Sequence, residues 1–168
     1  MKKSHKQKDR IWSVSLLNKS KKIKLNERKI ITLIKKTLIE INDKKLPKNI
    51  SEIGVTFCND AEIKKLNLAY RNKNKPTDVL SFSFIEGLKV NSHDTYLGDV
   101  IISLDTAKKQ ANKFKVSLEE ELLRLIVHGI LHLFGYDHEN VSEKKAKEMF
   151  DLQDDLVAKY RKSFKISK

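Results

Sequence analysis

The chain has 168 residues, 39% hydrophobic and 34% charged, which suits one soluble domain with a modest core and a heavily solvated surface. No apolar run approaches the roughly 20 residues that span a bilayer, and the basic N-terminus lacks the apolar stretch of a secretory signal, so neither a membrane nor a secreted protein is expected. Cys58 stands alone, which excludes an internal disulfide and a cysteine zinc cluster and fits a reduced, cytoplasmic setting.

The net charge is +13 and is uneven: residues 1–50 hold 16 Lys+Arg against 4 Asp+Glu, and residues 51–168 hold 19 against 18. A surface of that sign attracts a polyanion such as RNA or DNA. A lysine-rich composition gives the same count, so charge alone names no polymer.

Residues 1–10 are polar and are expected to be loose. Residues 11–17 alternate, with Trp12, Val14 and Leu16 on one side, and predict a strand. Residues 26–41 predict an amphipathic helix capped by Asn26, with Ile30, Ile31, Leu33, Ile34, Leu38 and Ile41 as its apolar stripe. After Pro47, residues 50–58 alternate through Ile53, Val55 and Phe57 and predict a second strand. Asn59 or Asp60 then caps a helix to about Tyr70, with Ile63, Leu66 and Tyr70 facing inward.

Residues 71–77 form a polar loop around Pro76. A third strand follows over 78–84, with Leu80, Phe82 and Phe84 on one face and Val79, Ser81 and Ser83 on the other. Residues 86–96 read as a hairpin connection, and 97–103 as a buried fourth strand. Ser103 or Asp105 opens a short helix carrying Leu104, Ala107, Ala111 and Phe114. Ser117 and Glu120 form a capping box for a helix that is apolar around most of its circumference and therefore central. That helix ends at Gly135. Ser142 caps a last helix to about Tyr160, with Met149, Leu152, Leu156 and Tyr160 inward, and residues 162–168 are expected to be loose. The elements predict a single α+β domain over 1–168: a mixed four-stranded sheet, a central buried helix and other helices around it.

Three of the five histidines fall within residues 128–138, HGILHLFGYDH. His128 and His132 are four apart and share one helix face. Gly135 can end the helix in the left-handed conformation and let the chain return with His138. Three imidazoles with an open fourth position are what a catalytic zinc site needs. The spacing HxxxHxxGxxH is that of metzincin metalloproteases, which carry a general-base Glu directly after the first His. Here that residue is Gly129, so a peptidase would lack its base.

The same eleven residues resemble the signature of the YbeY family, bacterial endoribonucleases of rRNA maturation. Two further stretches resemble that family in the same order: NLAYRNK over 67–73 running into PTDVLSF over 76–82, and LGDVIIS over 97–103. Asn74 departs from the Asp common in the family. The resemblance covers about residues 50–160. It implies one zinc ion held by His128, His132 and His138 and a functional arginine at Arg71; the nucleophile is either zinc-bound water at the His128 site or the RNA 2′-hydroxyl, and the sequence does not choose between them. It further implies single-stranded RNA as substrate, a part in 16S rRNA 3′-end maturation and ribosome quality control, and the small ribosomal subunit as partner. No membrane and no cofactor beyond the metal are implied.

Arg71, Lys73 and Lys75 are the expected RNA contacts, because a guanidinium grips phosphate in a fork and stays charged. Asp78 and Asp99 read mainly as structural caps. Asp137 reads as a turn carboxylate or as a partner for a histidine ring. Two rival readings stand beside the nuclease: a metallopeptidase-like zinc hydrolase, and a non-catalytic RNA-binding assembly factor with a structural zinc.

Overall fold

The computed structural model describes residues 10–20, 22–41, 46–85, 91 and 93–164. Four strands, β1 (Ser13–Asn18), β2 (Glu52–Cys58), β3 (Val79–Ser83) and β4 (Tyr96–Ser103), make one sheet in the order β1-β2-β4-β3. The β1–β2 and β2–β4 pairs are parallel, and β3 runs antiparallel to β4 at the sheet's edge. Parallel neighbours cannot be joined by a tight turn, so helices fill the crossovers. Helix α1 (Glu27–Ile41) links β1 to β2, and α2 (Asp60–Arg71) follows β2. Then come α3 (Leu104–Phe114), α4 (Leu118–Leu133) and α5 (Glu143–Arg161). The chain is α+β with a mixed four-stranded sheet, as its pattern predicts.

One face of the sheet carries the main core. Ile53, Val55, Phe57, Val100 and Ile102 meet the buried stripe of α1 and the nearly wholly buried α4. Each such side chain taken fully from water contributes about 1.5–3 kcal/mol. The other face holds a smaller cluster, in which Cys58, Ile63 and Leu80 are buried with Leu66, Phe82 and Ile101 against them. Helix α2 packs on that face through Ile63 and Leu66.

The caps fall where the sequence places them. Asn26, Asn59, Ser103, Ser117 and Ser142 each accept a backbone N–H three residues on. Gly135, at φ +80°, donates its N–H to the carbonyl of His132 and ends α4 as expected.

Five residues depart from expectation. Tyr70 is 68% exposed rather than inward, because the last turn of α2 overhangs the sheet edge. Phe84 and Phe114, read as apolar packing positions, are also exposed. Arg71 closes α2 instead of opening the loop, with Asn72 behind it in the left-handed conformation at φ 54°. Phe164, within the tail expected to be loose, is buried in the main core. Residues 1–9 and 165–168, and residues 86–90 and 92 of the connection expected over 86–96, lie outside the described residues.

Candidate metal centre

Helix α4 sets the first two histidines. Four residues along one face place the rings of His128 and His132 with centroids 4.7 Å apart and their Nε2 atoms 3.2 Å apart. The chain then turns at Gly135. Asp137 Oδ1 accepts the N–H groups of His138 and Glu139 at 2.7 and 3.0 Å, tightening the return. Its carboxylate thus braces the loop and does not bond a histidine ring. His138 comes back to 5.1 and 5.2 Å from the other two rings, and Phe150 of α5 packs on its far side at 5.3 Å. One ligating atom from each histidine lies within 4.8 Å of the others.

The donor set fits zinc. Two nitrogens each about 2.0–2.1 Å from a tetrahedral ion stand about 3.3 Å apart, close to the 3.2 Å between the two Nε2 atoms. His138 Nδ1 is buried with no hydrogen-bond partner among the described residues, which a structural imidazole seldom tolerates. Burial pushes His128 down to about 4 against the raising effect of the Gln153 bond, and the charges of His132, His138 and Arg124 add to the lowering. Burial also lowers His132, helped by His138 and by Arg71. Uncharged imidazole is the form that ligates a metal.

Gln153, buried on α5, was not visible as a site residue. Its Oε1 lies 2.8 Å from His128 Nδ1, so it fixes which ring nitrogen carries the proton and turns Nε2 toward the other histidines. The only sequence signal is a polar residue on the inward stripe of α5, between Met149 and Leu156.

Beside the histidines opens a cleft of about 430 Å³. His132 and His138 form its floor, the Val79, Ser81 and Ser83 side of β3 its wall, and Arg71 and Lys73 its rim. Lys75 is not among the lining residues. Its carbonyl accepts from the buried Asn67 Nδ2 at 2.8 Å, which pins the loop that carries Lys73. Glu139, a second residue the sequence did not single out, also lines the cleft.

Gly129 faces the sheet, not the cleft. A Cβ there would lie 2.4 Å from Val100 Cγ1, and the Gly129 carbonyl accepts from Ser81 Oγ at 3.1 Å. The close approach of α4 to β4 therefore excludes a glutamate at this position. Asp78 and Asp99 are structural, as expected. Asp78 accepts from Thr77, Val79 and Gln110, and Asp99 accepts the Tyr96 hydroxyl at 2.6 Å.

A family model described as endoribonuclease YbeY matches residues 15–161. Endoribonuclease YbeY of Persephonella marina is 50% identical over 113 residues, 67% of this chain and 72% of that protein. The protein of the same name from Aquifex aeolicus is 44% identical over 144 residues, 84% of this chain and 91% of its own. A Thermotoga maritima protein with a known solution structure is 32% identical, with a TM-score of 0.57 over 90% of this chain and 93% of its own. The matched span runs from within β1 to the end of α5 and contains every residue that lines the cleft, and the chain belongs to the endoribonuclease YbeY family.

Proposed function

We propose that this chain is a zinc-dependent endoribonuclease that cuts single-stranded RNA, acting on the 3′ end of 16S rRNA and on the small ribosomal subunit in the cytoplasm. The observation that carries the reading is that Arg71 lines the same cleft as His132 and His138. A zinc ion held by His128, His132 and His138 would activate water and polarise a phosphoryl oxygen. Arg71 grips the non-bridging oxygens as negative charge grows on them, and Lys73 adds a point charge beside it. Gln153 keeps the His128 Nδ1 proton in place, leaving Nε2 free to ligate. Glu139 gives the cleft a proton acceptor where position 129 cannot.

The peptidase reading is weaker, because the metzincin base position is Gly129, held against Val100, and the cleft carries Arg71 and Lys73, which suit a phosphate better than a peptide. The test compares zinc-loaded wild type, His132→Ala and Arg71→Ala on single-stranded RNA and on an unstructured peptide. Wild type should cut the RNA and spare the peptide. His132→Ala should abolish cutting, and Arg71→Ala should slow it by about 100-fold or more. Peptide cleavage with intact RNA would overturn the reading. Mapping 16S 3′ ends in cells carrying His128→Ala tests the rRNA step separately: unprocessed ends are expected, and normal ends refute it.

A further inference from the structure

Four aromatic side chains stand just across the β3 edge from the cleft. Ser81 and Ser83 point into the cleft, and Phe82 between them points to the opposite face of the sheet. Tyr70, directly before Arg71, lies edge-on against Phe82 with ring centroids 5.0 Å apart. Phe84 lies edge-on against Tyr96 at 5.6 Å. Tyr70 and Phe84 are 68% and 56% exposed. In each edge-on pair one ring is largely exposed.

We propose that this aromatic ledge binds the bases of single-stranded RNA that threads past the cleft, resting on the nuclease reading above. Three features favour nucleobases over another occupant. The ledge is continuous with the cleft, since Tyr70 and Arg71 are neighbours and Phe82 shares its strand with the cleft wall. Phe82 and Phe84 are two residues apart on one strand, so their rings repeat about every 7 Å, near the reach of one extended nucleotide. Charge is arranged to match: Arg71 and Lys73 line the cleft side, and carboxylates border the far side of the ledge, with Asp99 on β4 opposite Phe82 and Glu52 on β2 opposite Tyr96. Phosphates are held on the basic side and repelled from the acidic one, which leaves bases to cover the rings. Aromatic platforms flanked by basic residues bind single strands in this way, with little sequence preference.

The test is equilibrium binding of the full chain to 2′-O-methyl oligoribonucleotides carrying 2-aminopurine, with an abasic oligomer of equal length as control. Wild type should prefer the base-bearing strand and quench its fluorescence. Tyr70→Leu with Phe84→Leu should weaken that binding about tenfold or more and remove the quenching. Tyr70→Trp with Phe84→Trp should retain both, which separates stacking from misfolding. Equal affinity of wild type for base-bearing and abasic strands would overturn the ledge. So would full binding by the folded leucine variant, the result expected if the patch serves a protein partner. RNA cleavage by wild type is scored apart. A chain that prefers bases but cuts nothing keeps the ledge and loses the nuclease, and one that cuts without preferring bases does the reverse.

Discussion

Gln153 Oε1 sits 2.8 Å from Nδ1 of His128, so a residue 25 positions downstream sets the proton on one ring of the candidate metal centre. Without that acceptor the imidazole is free to turn or to change tautomer. Gln153→Leu keeps a side chain of similar reach in a buried position. It should lower zinc affinity by about 10–100-fold in competition with a chromophoric chelator. Unchanged affinity would show that the bond does not orient His128.

A metal ion held by the same three rings would be linked to folding. Zinc that binds the folded state alone stabilises it by about 2.7 kcal/mol at 100 times its Kd. Thermal melting should therefore move upward with added zinc and downward with chelator. His138→Ala should reduce this response sharply, since it removes one of the three donors. A melting temperature indifferent to zinc would count against the site.

Gly129 makes a different prediction, about packing. A methyl group there meets Val100 at 2.4 Å, with the sheet behind it. Gly129→Ala should cost about 1–3 kcal/mol in denaturant unfolding. Adding Val100→Ala removes the clashing methyls and should recover part of that loss, measured as a coupling in a double-mutant cycle. Simple additivity of the two changes would refute the contact as the cause.

Asp78 gives the fold an acid limb. Burial opposes its charge, but hydrogen bonds from Gln110, from the Val79 N–H and from Thr77 outweigh burial and hold its carboxyl below the ordinary range. A carboxyl lowered in the folded state contributes stability that is complete above the unfolded value of about 3.9. That contribution is lost as pH falls through the lower folded value. Asp78→Asn should flatten this part of the stability profile below about pH 4 while destabilising the protein at neutral pH. An acid limb identical to wild type would rule Asp78 out as its source.

Much of the site was legible in the sequence because its rules are short-range. Helical period puts His128 and His132 on one face, Ser117 and Gly135 fix where α4 starts and stops, and three residues later His138 returns. Strand alternation likewise separates Ser81 and Ser83 from Phe82. Exposure was less legible. Tyr70 has the helical spacing of an inward residue, but α2 overhangs the sheet edge, and period alone does not say where the covering layer stops.

The sequence by itself therefore determined the elements, their caps and the three-histidine motif, since each depends on neighbours within about one helical turn. Tertiary structure decided the rest. It brought Gln153 to His128, set Arg71 over the cleft, turned Gly129 against Val100 and left the aromatic edge of β3 open. Those relations depend on the strand order β1-β2-β4-β3 and on how closely α4 approaches it. They join residues far apart in the chain, which no local period encodes.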